Sequence, residues 1–439
     1  MNASEPAVSI VIPTHNRATS LNRTLEALAR QDYAAGSLEL VVVADACSDE
    51  TVRLLEGSEL PFGLQFVETP GVGPGAARNQ GAALAGGELL LFLDDDIVPA
   101  PDLVTAHVSA HRRQPGQIVL GPYPPALDGA PDLLHILTRH WWADKFAGLQ
   151  APGHRFHYSD VLGGNMSLER QLFLALGGFD TDFRFAHEDL EFGLRAIRAE
   201  TAIAFVPDAH ADHFEHETTT VGSSLRRARH EGQADALIAL KYPELRASLE
   251  EAGGDEERRP FVARIIRRAA SSPLSAILDS LAALSSHTLP VAEMLRMRGA
   301  WAATYGALRA YWYWRGVCET LGADAPRAMA AGTMATSERG DVAAVSVDLW
   351  PCLDAAVRQL DDSRPLAVRL FYNTQYIGEI SPVAGAEPLR GAHLAPILLR
   401  DFAAPLAEAL AADPARSRGG PIVVPHLVLL EYLLEAQDA

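Results

Sequence analysis

The N-terminal part of the chain alternates between short apolar runs and segments of helical periodicity. The apolar runs, which are typical of buried strands, cover residues 8–13, 38–43, 64–67 and 89–93. Helical spacing of apolar or small residues fills the intervening segments 19–30, 49–55 and 76–85. Further strands are predicted at 117–121 and 201–206, and further helices at 168–176 and 187–198. This alternation predicts an α/β fold with a mostly parallel sheet, because right-handed crossovers join parallel strands through helices.

The remainder of the chain changes character twice. Residues 225–321 have mostly helical patterns, which are interrupted by Pro243, Pro260, Pro273 and Pro290. Small residues dominate 323–339, and strands are predicted again at 342–349, 366–372 and 375–380, with helices at 394–402 and 406–411. We therefore expect an α/β domain at 1–225, a helical extension at 226–322, a linker at 323–340 and a small C-terminal α/β domain of unknown role at 341–439.

Three consecutive carboxylates, Asp94, Asp95 and Asp96, end the fourth apolar run. In an open α/β sheet, ligands bind outside the carboxyl ends of the strands. Three like charges repel one another there, and a divalent cation would offset them and could also bind a diphosphate. A solvated acidic turn is the alternative for a triplet considered alone.

Composition narrows the class of protein. A formal net charge of -19 excludes a nucleic-acid-binding protein that works through a dominant basic face. The three cysteines, Cys47, Cys318 and Cys352, are scattered and show neither a disulfide framework nor zinc-ligand spacing. The N-terminus has no signal-peptide pattern, and the sequence has no apolar stretch of about 18 residues. These features predict a cytoplasmic protein.

Five stretches in order resemble family 2 glycosyltransferases, which have the GT-A fold. They lie at 8–17, 41–49, 73–81, 94–96, and 177–180 together with 187–195. Each is short, and the order of all five over residues 7–220 makes the resemblance specific. It implies a GT-A type, Rossmann-like, mostly parallel sheet. It also implies inverting, metal-dependent transfer of a sugar from a nucleotide-diphosphate donor, expected to be a UDP-sugar, to an acceptor hydroxyl.

The resemblance gives the triplet its roles. Asp94 and Asp96 would bind Mn²⁺ or Mg²⁺, which stabilises the charge of the leaving diphosphate. Asp95 would meet the ribose. His213 follows a predicted strand end at the spacing of a metal-binding histidine, and imidazole suits manganese. His210 and His216 are nearby alternatives.

Glu188 and Asp189 begin a predicted helix and resemble the family's acidic acceptor-side element. An inverting transfer needs the acceptor hydroxyl deprotonated, and Asp189 is the expected general base. Glu188 would orient the site or the acceptor. Helix N-terminal acids that only favour the macrodipole are the alternative. The glycine-containing stretch 163–167 resembles an acceptor-side loop.

The expected nucleotide pocket combines side chains from three of the stretches. Its members, besides Asp95, are Pro13, Thr14, Arg17, Asp45 and Arg78. Asp45 could accept the uracil imide hydrogen, and Arg78 could meet the base edge or the diphosphate. Ala44 stands where the family commonly has Asp, and 46–47 is Ala-Cys where Gly-Ser is common, so the identity of the base stays open.

The expected partners are a nucleotide-sugar donor and a glycan, lipid-linked saccharide or small-molecule acceptor, as in polysaccharide biosynthesis. Basic and aromatic groups at 258–268 and 311–315 could contact the inner face of a membrane. Packing beneath the catalytic domain is favoured, because the two groups lie far apart in sequence. A homo-oligomer is also left open.

Two other functions are compatible with an α/β fold of this kind. A nucleotidyltransferase would need a glycine-rich phosphate loop after the first strand, which 13–17 is not. A catalytically inactive nucleotide-sugar or glycan-binding protein with a GT-A fold is the other alternative. The presence of Asp94, Asp96 and Asp189 counts against it.

Overall fold

The computed structural model describes residues 7–126, 131–214, 219–246, 260–322, 344–350 and 352–412. They fall into two compact units. The first contains 1–146 and 158–336, and the second contains 147–157 and 337–439. The predicted linker at 323–340 lies outside the described residues. The finer division at residue 225 stays a prediction.

A large twisted sheet forms the centre of the first unit. The strands of this unit, in chain order, are β1 Val8–Thr14, β2 Leu38–Asp45, β3 Gly63–Thr69, β4 Leu89–Leu93, β5 Ile97–Pro99, β6 Gln117–Leu120, β7 Asn165–Glu169, β8 Ala202–Phe205 and β9 Ala211–His213. Seven of them form one sheet in the order β3-β2-β1-β4-β7-β6-β8. Strand β7 runs antiparallel to both neighbours, and the other pairings in this sheet are parallel. The mostly parallel α/β sheet predicted from the sequence is therefore confirmed.

Helices connect these strands and extend beyond them. Those of the first unit, with the C-terminal end of α5 passing into the second, are α1 Ala18–Leu28, α2 Thr51–Glu56, α3 Pro74–Leu84, α4 Leu103–Arg113, α5 Leu133–Gln150, α6 Arg170–Ala175, α7 Glu188–Arg198, α8 Val221–Lys241, α9 Pro260–Ala270, α10 Ser275–Ser286, α11 Thr288–Met294 and α12 Arg298–Leu321. Helix α3 packs on β1 and β2. A Cβ at Gly81 of α3 would clash with Val11, so the small residues of this helix allow direct contact with the sheet.

Strand β7 corrects one prediction. The expected helix at 168–176 begins only at Arg170, because Asn165–Glu169 is a strand inside the sheet. Its polar Ser167 is buried and lies 2.8 Å from both His107 Nδ1 and His111 Nε2 of α4. Polar residues that are satisfied in this way do not give the apolar pattern of a buried strand.

The helical extension is built on a close pair of helices. A Cβ at Gly232 of α8 would meet the Tyr313 carbonyl oxygen, and one at Gly316 of α12 would meet that of Arg229. These two glycines therefore let the backbones of α8 and α12 approach closely. Helices α9, α10 and α11 also pack against α12. The predicted helical character of 225–321 is confirmed within its described residues.

The second unit has a three-stranded sheet and three helices among its described residues. Its elements are β10 Val345–Asp348, α13 Leu353–Ser363, β11 Val368–Tyr372, β12 Gln375–Ile380, α14 Gly391–Asp401 and α15 Ala403–Ala412. Strands β10 and β11 are parallel, and β11 and β12 form an antiparallel hairpin. Asn373 and Thr374 turn the hairpin with φ of 44° and 74°. The predicted small α/β fold and its hairpin are confirmed.

Candidate functional site

The carboxyl ends of β1 and β4 bring together the first group of expected site residues. Thr14 Oγ1 donates to Asp95 Oδ2 at 2.7 Å. Arg17 Nη1 donates to Asp95 Oδ1 at 2.8 Å and to Asp96 Oδ2 at 2.9 Å. Half-buried Pro13 precedes Thr14 at the end of β1. The side chains expected to meet the donor thus lie at one edge of the sheet.

The charge state of Asp95 follows from its burial. Burial raises its pKa, Arg17 opposes this shift, and the charge of Asp96 adds to it, so that the pKa is about 6. Arg17 remains a cation beside the two carboxylates, and its own pKa is raised despite the cost of burial. This edge of the sheet therefore has a fixed positive charge next to an acid that can hold a proton.

Asp45, at the end of β2, holds the loop that leads into α3. Its Oδ1 accepts hydrogen bonds from Thr69 Oγ1 at 2.5 Å and from the backbone N–H groups of Gly71 and Val72 at 2.8 and 2.7 Å. Its Oδ2 accepts from the Gly73 N–H at 2.8 Å. Burial raises the pKa of Asp45, but these hydrogen bonds outweigh burial and lower it. The expected contact of Asp45 with uracil stays a prediction.

Arg78 connects Asp94, which is expected on the donor side, to Glu188, which is expected on the acceptor side. This buried side chain donates from Nη2 to Asp94 Oδ1 at 2.5 Å and from Nη1 to Glu188 Oε1 at 2.7 Å. Its buried Nε has no hydrogen-bond partner among the described residues. Burial and the charge of Asp189 raise the pKa of Glu188 to about 7, although Arg78 lowers it. One cation thus links two of the motifs seen in the sequence.

Glu188 and Asp189 begin α7 as predicted, but they differ in exposure. Glu188 is buried, whereas Asp189 is partly exposed. Asp189 accepts from the Gly163 N–H at 2.8 Å through Oδ2 and from the Leu190 N–H at 2.9 Å through Oδ1. A Cβ at Gly164 would lie only 2.9 Å from Asp94 Oδ2. The loop at 163–164 therefore approaches both Asp94 and Asp189. Of the two acids at the start of α7, only Asp189 is partly exposed to solvent.

His213 lies against Asp96. The pairing of β5 with β9 sets His213 opposite Ile97, and His213 Nε2 is 3.2 Å from Asp96 Oδ1. Burial raises the pKa of Asp96, but the charge and hydrogen bond of His213 outweigh it and hold the pKa at about 2. His210 is more exposed and lies 3.5 Å from Asp212. His216 lies outside the described residues.

Asp94, Asp96 and His213 have the kinds of ligand atom that bind a divalent cation, but the three side chains do not converge on one point. A carboxylate with an imidazole suits manganese, and Asp96 with His213 supplies that pair. Asp94 instead pairs with Arg78. Within the described part of the chain, no group of three or more His, Cys, Asp or Glu side chains is arranged to hold a metal ion. A joint role for Asp94, Asp96 and His213 stays a prediction.

An aromatic wall beside His213 was not predicted from the sequence. The rings of Tyr123 and Trp142 lie 5.6 and 5.8 Å from the His213 ring, both edge-on. Trp142 stacks on Phe146, one turn along α5, at 5.3 Å. The i, i+4 spacing of these two aromatic residues was the available signal. The wall surrounds His213 with apolar surface.

A second unpredicted feature supports the start of α7. His187 precedes Glu188 with a left-handed φ of 62°, and its Nδ1 lies 2.9 Å from Asp235 Oδ1 of α8. Tyr313 of α12 donates to Asp235 Oδ2 at 2.6 Å. Burial lowers the pKa of His187, but Asp235 outweighs burial and raises it to about 9. A charged imidazole thus ties the acidic pair to the helical extension.

Comparison with known proteins agrees with these motifs. Residues 9–177 match the model of the glycosyl transferase family 2, and residues 145–217 match a model described as the N-terminal domain of galactosyltransferase. Two validoxylamine A glucosyltransferases of Streptomyces hygroscopicus, from subspecies jinggangensis and limoneus, are each 33% identical over 216 residues. The matches cover 43% of this chain and 51% and 48% of those proteins, so the chain spans about half their length.

A relative and a solved structure extend the comparison. The poly(ribitol-phosphate) beta-N-acetylglucosaminyltransferase TarS of Staphylococcus aureus is 36% identical over 90 residues, which cover 20% of this chain and 16% of that protein. The mannosyltransferase PcManGT from Pyrobaculum calidifontis, solved with GDP-Man and Mn²⁺, is 22% identical with a TM-score of 0.47, over 73% of this chain and 88% of that one. The match of residues 9–177 to the glycosyl transferase family 2 model and the mostly parallel sheet observed here agree with the resemblance seen in the sequence.

Proposed function

We propose that this chain is an inverting glycosyltransferase that moves a hexose from a nucleotide-diphosphate donor, a UDP-sugar, to an acceptor hydroxyl. The observation that supports it best is the hydrogen bonding of Arg78 to both Asp94 and Glu188. This arrangement supports a single site in which Asp94 would act on the donor side and Glu188 on the acceptor side. Bond formation and departure of the diphosphate need this proximity.

The donor side favours a diphosphate. Arg17 pairs with Asp95 and Asp96, and Arg78 pairs with Asp94, so two guanidinium groups lie beside the acids that follow β4. Guanidinium groups suit phosphate oxygens because their donors form a planar fork. A divalent cation, Mn²⁺ or Mg²⁺, would offset the growing charge of the leaving diphosphate, and Asp96 with His213 would hold it. Asp94 is the further candidate ligand.

The acceptor side favours Asp189 as the general base. Its carboxylate is partly exposed and is fixed by the N–H groups of Gly163 and Leu190. It would take the proton of the acceptor hydroxyl as that oxygen attacks the anomeric carbon from the face opposite the diphosphate. Glu188 is buried against Arg78, so it would position the guanidinium rather than touch the acceptor.

For the acceptor and the cellular location we propose only broad classes. The first relatives are named for glucosyl transfer to validoxylamine A, and TarS for transfer to poly(ribitol-phosphate). We propose a hydroxyl of a glycan, a lipid-linked saccharide or a small molecule, in the cytoplasm. A homo-oligomer and a role in polysaccharide biosynthesis stay predictions.

Donor hydrolysis tests this proposal. The full chain is incubated with a panel of UDP-, GDP- and dTDP-hexoses, with Mn²⁺, Mg²⁺ or a chelator, and release of the nucleoside diphosphate is followed. We expect one donor to be cleaved with Mn²⁺ and to raise the melting temperature by mass action. Specific binding of a donor without any hydrolysis or transfer would favour the inactive binding protein instead.

A further inference from the structure

An apolar surface lies on the three short helices that pack against α12. We call it the α9–α11 face, and it comprises the outward side chains of α9, α10 and α11 with their connections. The apolar side chains exposed there are Phe261, Val262, Ile265, Leu274, Ile277, Leu281, Leu284, Val291, Met294, Leu295 and Met297. Met294 is 74% exposed and Leu284 is 65% exposed. Exposed apolar clusters of this size mark interaction surfaces.

The face follows helical periodicity on each helix. On α10 and the residue before it, Leu274, Ile277, Leu281 and Leu284 form one stripe, whereas Ala282 of the same helix is buried. On α11 and the residue after it, Val291 and Leu295 are one turn apart and exposed, whereas Leu289 is buried. Each helix therefore has one side packed in the unit and an apolar side turned outward, which is the pattern of an amphipathic helix that lies in an interface.

The charge of the face is opposite to that of the chain. The segment 260–300 has five arginines and two carboxylates, in a protein of formal net charge -19. Both carboxylates are occupied: Asp279 accepts from Arg315 at 2.9 Å, and Glu293 accepts from the Leu133 N–H at 2.8 Å. The arginines Arg264, Arg268, Arg296 and Arg298 are exposed, and none has an ion-pair partner among the residues that the structure describes.

We propose that the α9–α11 face binds an anionic phospholipid surface, with its apolar stripes in the interface and its arginines on the headgroups. Apolar burial and attraction between arginine and anionic lipid add together in such binding. A two-fold dimer through this face would oppose the arginines of one copy to those of the other, because the same patch meets itself. None of the described helices is both long and apolar enough to span a bilayer. The contact proposed for this face lies in the interface plane rather than across the bilayer.

Vesicle flotation of the full chain tests the proposal. Vesicles of phosphatidylcholine mixed with phosphatidylglycerol are compared with vesicles of phosphatidylcholine alone. We expect flotation with the mixed vesicles, little with the neutral ones, and loss of binding as salt is raised. Equal binding to both vesicles, or binding to neither, would overturn the proposal.

Matched variants assign the binding to the face. Leu281→Ser with Leu284→Ser should weaken vesicle binding about tenfold per leucine, and Arg264→Gln with Arg268→Gln about fivefold per arginine. The controls are Leu174→Ser with Leu240→Ser, both 52% exposed on other helices, and Arg112→Gln with Arg113→Gln on α4, and they should bind as the wild type does.

The same variants separate a membrane from a second copy. Sedimentation measures the oligomeric state of the wild type and of the Leu281→Ser, Leu284→Ser variant over a range of concentrations. We expect both to show the same state. A dimer that is lost in the variant, without vesicle binding by the wild type, would make the face a contact between copies and would refute the membrane proposal.

Discussion

Arg78 and Glu188 form a buried ion pair at 2.7 Å although they lie 110 residues apart in sequence. Arg78 comes from α3, which packs on the sheet, and Glu188 begins α7. The pair fixes the start of α7 relative to the strand end that carries Asp94, since the same guanidinium also binds that carboxylate. One guanidinium therefore connects the carboxylate that follows β4 to the start of α7.

Replacement of Arg78 should cost both stability and activity. Arg78→Met leaves Glu188 and Asp94 without their cation, and loss of one partner of a buried pair costs about 3–5 kcal/mol of the free energy of unfolding. The pKa of Glu188 is already raised to about 7, and without Arg78 it rises further. A protonated Glu188 is neutral and needs no cation beside it. The stability lost in Arg78→Met should therefore shrink as the pH falls toward 5.

Urea denaturation of Arg78→Met at several pH values measures this effect. The double variant Arg78→Met, Glu188→Gln is the control, because a neutral amide replaces the charge that lost its partner. We expect it to recover part of the lost stability but none of the transfer. A single variant as stable as the wild type at pH 8 would mean that the pair does not hold α7.

The two acids at the start of α7 should have different effects on transfer. Asp189→Asn cannot accept the acceptor proton, so transfer should fall about 100-fold or more while donor affinity is unchanged. Glu188→Gln should weaken the position of Arg78 and lower donor affinity as well. Transfer rates and nucleotide titrations of both variants are the measurement. Full transfer by Asp189→Asn, with a selective loss of transfer in Glu188→Gln, would give the base role to Glu188.

Replacements of Asp96 and of His213 should affect the metal dependence of activity differently. Asp96→Ala should abolish hydrolysis and transfer, because it removes the carboxylate that contacts both His213 and Arg17. His213→Ala should shift the manganese midpoint of activity to higher concentration, by about tenfold if it acts as one ligand or supports one. His210→Ala, on the exposed neighbour, is the matched control and should keep the midpoint. An unchanged midpoint in His213→Ala would remove this histidine from the site.

The site residues at the strand ends could be predicted because the carboxyl ends of parallel strands lie at the same edge of a sheet. Thr14 and Asp95 are 81 residues apart, yet each follows or ends an apolar run, and adjacent parallel strands bring such ends together. The same rule predicted the edge that holds Asp45. Strand β7 escaped prediction because its Asn165 and Ser167 are polar and are satisfied by α4. Periodicity cannot show that a polar residue has a buried partner.

The support of α7 could not be predicted for a related reason. Asp235 lies in the middle of α8, where the sequence pattern predicts that a single acid is exposed to solvent. Its contacts with His187 and Tyr313 join positions 48 and 78 residues apart. No local pattern links these positions. The contacts depend on how α8 and α12 cross, which Gly232 and Gly316 determine through close backbone approach.

His187 gives the protein a pH dependence whose direction is fixed by its raised pKa. The pKa of His187 is about 9 in the folded chain, against about 6.5 for an ordinary histidine. A raised pKa means that the folded state holds the proton more tightly. The ion pair with Asp235 therefore contributes fully below pH 6.5, and its contribution is lost as the pH rises through about 9. A shift of this size corresponds to roughly 3 kcal/mol.

Titration of His187 by imidazole NMR, together with unfolding measured from pH 6 to 9.5, tests this prediction. Asp235→Asn removes the largest of the charges that raise the pKa of His187, the others being Glu231 and Asp189, so this pKa should fall and the dependence of stability on pH in this range should flatten. Transfer should fall in the variant, and donor affinity should fall with it, since Glu188 at the start of α7 also holds Arg78. His210→Gln is the control, because that side chain is 45% exposed and lies beside Asp212 rather than Asp235. If His187 of the wild type titrates near pH 6.5, the pair with Asp235 does not hold the start of α7 in solution.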